Sequence, residues 1–99
     1  QAKSMFTQSL AARLELLGET HPDVAQSYCN LATVCHELSD NEAAEAHFEE
    51  SLRILEMHLP EEAGSFEAVA TDFLSLLELL GDDRKAAALR KRMQRALTV

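Results

Sequence analysis

Phe6-Thr7-Gln8-Ser9-Leu10 returns further along the chain as Phe48-Glu49-Glu50-Ser51-Leu52. The same interval, from position 6 to position 48, governs much of the sequence. Ala2, Ala44 and Ala86 share one register, as do Leu17 and Leu59, Leu31 and Phe73, Val34 and Leu76, Leu38 and Leu80, and Asp40 and Asp82. A period of this length marks stacked supersecondary units, none of which can bury its apolar face alone. Such units build a solenoid whose product is surface, so binding is the expected activity.

The pattern within each period is helical. Met5, Phe6, Leu10, Leu14 and Leu17 recur at steps of three to four, which predicts an amphipathic helix over residues 1–17 that Gly18 stops. Pro22 suits a first helical position and Asp23 the positive end of a helix dipole, so a second helix is expected over 22–38. It carries Val24, Tyr28, Leu31, Cys35 and Leu38 on one side and breaks at Ser39-Asp40-Asn41. Ala44, Phe48, Leu52 and Leu55 repeat the rhythm over 41–58, with Glu42, Glu45, Glu49 and Glu56 outward, and Pro60 closes that segment. Residues 62–80 and a last helix ending near Leu97, joined by Gly81-Asp82-Asp83, complete a set of five.

Composition bounds the rest. A chain of 99 residues that is 46% apolar, with two prolines and three glycines, is expected to form one small all-α domain. No apolar run is long enough to span a bilayer. Gln1 falls inside a helical pattern without an initiator Met, which reads as a piece of a longer protein. Cys29 and Cys35, six residues apart in one helix, turn to different faces, so a bond between them is not expected and a reducing, cytoplasmic compartment is.

The residues resemble the tetratricopeptide repeat, in the long 42-residue form of kinesin light chains. Leu17-Gly18-Glu19-Thr20-His21-Pro22-Asp23-Val24-Ala25 looks like that family's linker, and Tyr28, Leu31, Ala32 and Cys35, then Ala44, Phe48 and Ser51, fall on its signature positions. The resemblance implies a superhelical array of antiparallel helix pairs, about two and a half repeats long. Residues 1–17 would be the second helix of a preceding repeat, 22–59 a full repeat, and 62–98 a degenerate, terminal one. In that last unit Arg90 stands where Phe belongs and Met93 where a small residue belongs.

In this fold the first helix of each pair lines a concave groove. By helical spacing that face consists of Gln26, Cys29, Asn30, Thr33, His36 and Glu37, continued by Thr71, Asp72, Ser75 and Glu78. A protein or peptide segment is the implied ligand, held by a protein interaction module serving as scaffold or adaptor. Because the groove carries Glu37, Asp72 and Glu78 and no Lys or Arg, a basic or neutral segment is expected over an acidic one.

All 17 acidic residues lie at or before Asp83, whereas Arg84, Lys85, Arg90, Lys91, Arg92 and Arg95 crowd the last helix. The net charge of −8 argues against nucleic acid. An alternative role follows from this asymmetry: an end-cap of a longer solenoid, or self-association in which Arg90, Arg92 and Arg95 meet the Glu42, Glu45 and Glu49 face of another copy. Neither an enzyme nor a metal or cofactor site is expected. The sequence has no Cys-x-x-Cys, no His-Glu-x-x-His and no glycine-rich phosphate loop, and His47 and His58 stand about three turns apart.

Overall fold

In the computed structural model the described residues run from 2 to 98, with Gln1, Val99 and the side chain of Ala2 outside them. They form five α-helices: α1 (Ala2–Leu17), α2 (Pro22–Glu37), α3 (Asn41–Glu56), α4 (Ala63–Leu79) and α5 (Asp83–Leu97). Each packs on the next in chain order. The Cα trace spans 33 × 32 × 15 Å. The short dimension matches two helix layers, so the molecule is a flat array and not a closed bundle.

The turn within each repeat is built twice by the same chemistry. Ser39 and Gly81 hold equivalent places in the two repeats and both adopt left-handed φ, 63° and 73°. Ser39 N–H donates to His36 O and Asp40 N–H to Cys35 O; Gly81 N–H donates to Glu78 O and Asp82 N–H to Leu77 O. This is the double bond pattern that satisfies the last carbonyls of a helix. Asp40 and Asp82 then cap the next helix, their carboxylates accepting from Ala43 N–H and Lys85 N–H. The link between α1 and α2 uses Gly18 at φ 88°, and the His21 Nδ1 accepts from Asp23 N–H at 3.0 Å.

Packing explains the small residues. Ala32 and Ala44 are fully buried where α2 meets α3, and Ser51 Oγ donates to the Ala25 carbonyl at 2.7 Å within that seam. A buried hydroxyl without this partner would cost about 1–3 kcal/mol. Tyr28 of α2 stacks on His47 of α3, with ring centroids 5.9 Å apart. The two repeats meet through Phe48 and Phe73, stacked at 5.2 Å with 13° between ring planes. Two further ties reach back to the N-terminal unit. Arg13 donates to the Asp23 carbonyl and to Ser27 Oγ, and His58 Nε2 donates to the Thr20 carbonyl at 2.6 Å.

Three expectations need correction. Leu38, placed on the core side by its spacing, is 61% exposed, because it is the C-terminal cap of α2 and lies beyond the reach of the neighbouring helices. Leu80, in the same register at the end of α4, is exposed as well. On α1, Met5 is exposed while Phe6 and Leu10 are half-buried, Leu10 against the core. Cys29 and Cys35 are unbonded and buried.

Candidate functional site

Helices α2 and α4 form the two walls of a groove. Thr33 and His36 line it from α2, and Asp72 and Ser75 from α4; Phe48 and Leu76 lie beneath, and Leu79 forms the lip. Thus four of the ten residues expected on the concave face come together here. Gln26 and Asn30 lie further toward the N-terminal end of α2, where Gln26 Nε2 donates to Asn30 Oδ1 at 3.1 Å. Glu37 and Thr71 are exposed beside the groove without lining it.

Two of the expected residues are elsewhere. Cys29 is buried, at 7% exposure, instead of facing solvent. Burial pushes its thiol pKa up to about 11, with the nearby Asp72 carboxylate adding to the effect. Helical spacing put Cys29 on the outward face, but the approach of α4 covers it. Glu78 turns from the groove to pair with Arg90 of α5, so the acidic character of the groove rests on Asp72, with Glu37 beside it.

The groove's polar side chains have defined partners. Thr33 Oγ1 donates to the Cys29 carbonyl and Ser75 Oγ to the Thr71 carbonyl, each at 3.1 Å one turn back. His36 Nδ1 lies 3.2 Å from Asn41 Oδ1. The apolar floor was missed by reading the outward face alone. Phe48 and Leu76 are core residues by their spacing and stay buried, each 3% exposed, so that only their edges reach the groove between α2 and α4.

The basic helix meets acids of its own chain. Arg92 is bonded by both Glu49 and Glu56 of α3, Lys85 bonds Glu45 at 2.8 Å, and Arg90 pairs with Glu78. The Arg92 guanidinium pKa is raised, chiefly by Glu56. The two arginines expected to meet another copy thus have partners within one molecule, Arg92 on α3 and Arg90 on α4. Arg95 is exposed and has no ion-pair partner among the described residues. Phe73, Leu77 and Leu89 floor a second cleft beneath the Lys85–Glu45 and Arg92–Glu49 pairs.

Among the described residues, no group of three or more His, Cys, Asp or Glu is placed to hold a metal ion, and no helix is long and apolar enough to cross a membrane. What the α2–α4 groove offers is a line of polar groups over an apolar floor, open along its length. That arrangement suits an extended chain better than a small reacting molecule. A family model described as tetratricopeptide repeat matches residues 1–57. No curated protein matches the chain.

Proposed function

The chain belongs to the tetratricopeptide repeat family, whose repeats mediate protein–protein interaction, and we propose that it holds an extended partner segment between α2 and α4. The observation that carries this reading is the convergence of Thr33, His36, Asp72 and Ser75 around Phe48 and Leu76. Both walls are helices anchored in the core, so the surface is ordered before the ligand arrives and the cost of binding falls on the ligand. No Lys or Arg lines the groove and Asp72 does, which favours a basic or neutral segment. The long form of the repeat, as in kinesin light chains, is supported by geometry. Helices α3 and α5 start in the same register, at Asn41 and Asp83, and α2 and α4 end in the same register, at Glu37 and Leu79. A reducing, cytoplasmic setting fits two buried, unbonded thiols.

The test is selection of binding peptides from a random displayed library on the wild-type chain, followed by rebinding to Ser75→Tyr and Glu42→Lys variants. Ser75→Tyr fills the groove and is expected to abolish capture, while Glu42→Lys, on α3, leaves it intact. Capture that survives Ser75→Tyr and fails with Glu42→Lys would move the site to the other side of the array. A second reading, self-association through the end helix, is favoured by Met5 at 68% and Leu16 at 81% exposure on α1. Sedimentation equilibrium that shows a monomer at every concentration would remove it.

A further inference from the structure

We propose that the α2–α4 groove is a receptor for one arginine side chain of the bound segment. The inference rests on the reading of this groove as the partner site and adds which side chain it selects. It follows from counting hydrogens. A hydroxyl has a single proton to give, and both groove hydroxyls have given theirs: Thr33 Oγ1 to Cys29 O and Ser75 Oγ to Thr71 O. Only their lone pairs remain for a ligand. His36 Nδ1 faces Asn41 Oδ1, an acceptor, and the tautomer that satisfies this contact by donating from Nδ1 turns a lone pair at Nε2 to a ligand. Asp72 is a carboxylate with no ion-pair partner among the described residues, and it accepts only.

Every polar side chain that lines the groove therefore offers acceptors. A glutamate, a terminal carboxylate or a phosphate would set acceptor against acceptor and charge against Asp72. A lysine or arginine side chain donates and never accepts. Between the two, the surroundings select arginine. Its planar fork presents five N–H groups, against three on a compact ammonium, and so reaches acceptors on both walls at once. Its apolar stem suits Leu79, 72% exposed at the lip, with the edges of Phe48 and Leu76 beneath.

The test uses the described chain, 15N-labelled, and four capped pentapeptides, Gly-Ser-Xaa-Ser-Gly, in which Xaa is arginine, citrulline, norleucine or glutamate. Citrulline keeps the shape of arginine and removes the charge. The arginine peptide is expected to give saturable shifts at Thr33, Asp72 and Ser75 and to bind about fivefold more tightly than the citrulline peptide. Asp72→Asn, at an exposed position, is expected to bring the arginine peptide down to the citrulline level and to leave the citrulline peptide unchanged. Equal or tighter binding of norleucine or citrulline at the same residues would overturn the arginine assignment and keep the groove. Peptides that all leave Thr33, Asp72 and Ser75 unshifted would overturn the groove as well.

Discussion

Replacing Phe48 by alanine tests whether the repeats stack as the structure has them. The ring is 3% exposed and stacks on Phe73 across the repeat interface. Truncating a buried Phe costs about 3–5 kcal/mol in lost transfer energy plus the cavity left behind. About 0.5–1.5 kcal/mol of that belongs to the ring–ring contact. This part is expected as the coupling energy of a double-mutant cycle with Phe73→Ala. A chain of 99 residues has roughly 5–15 kcal/mol in total, so the loss is a large share of it. It also falls on the contact that makes two repeats unfold as one. Urea unfolding followed by circular dichroism at 222 nm is therefore expected to shift to lower midpoint and to broaden, as α4–α5 separates from α1–α3. Phe48→Leu, which retains most of the volume, is expected to keep one transition at a cost of about 1.5 kcal/mol or less. A Phe48→Ala variant that loses less than about 1 kcal/mol and keeps its slope, with no coupling to Phe73, would refute the stacked arrangement.

Arg92→Met is expected to cost about 1 kcal/mol at low salt and less in about 1 M salt, read from urea midpoints, because it unties α5 from Glu49 and Glu56. Ser39→Gly is expected to stabilise by about 0.5–1 kcal/mol, since φ 63° is strained for any residue with a Cβ; a fall in melting temperature would contradict that reasoning. Burial beside Tyr28 holds the His47 pKa below its usual 6.5, with Lys3 adding to the effect. The unfolded chain then binds the extra proton, so this contribution is complete above about pH 6.5 and is lost as the pH falls below it. His47→Phe, which keeps a ring on Tyr28, is expected to flatten the stability–pH curve on that acidic side. Cys29, with its pKa pushed up to about 11 beneath α4, is expected to react with iodoacetamide at mildly alkaline pH only as fast as the chain opens. Rapid labelling in the native state would show that α4 does not cover it.

Much of the architecture was legible in the residues. Gly18 and Pro22 fixed one boundary, Asp40 and Asp82 another, and all five helices lie within a few residues of their expected spans. Ala44 and Ala86, which share one register of the repeat, are both buried. Legibility stopped where a neighbouring helix decides the outcome. Spacing along α2 gives the direction of Cys29 but not the distance at which α4 passes over it. Glu78 has the right direction for the groove, yet Arg90 lies twelve residues on and draws it toward α5. Leu38 keeps the apolar rhythm to the last residue, although the helix ends there and nothing reaches over it. Phe48 and Leu76 read as interior, and only the spacing of two helices turned them into a floor.

The charged ties between the two repeats have a mechanical consequence. Among the described residues, the side-chain bonds that link them, Lys85 to Glu45 and Arg92 to Glu49 and Glu56, all join α3 to α5. Across the opposite side, α2 and α4 share none. The array resembles a book stitched at the spine, with α2 and α4 as its free leaves. A change in the separation of the leaves is then expected to break fewer polar bonds than a change at the stitching, which makes the width of the opening the coordinate along which the array should yield first.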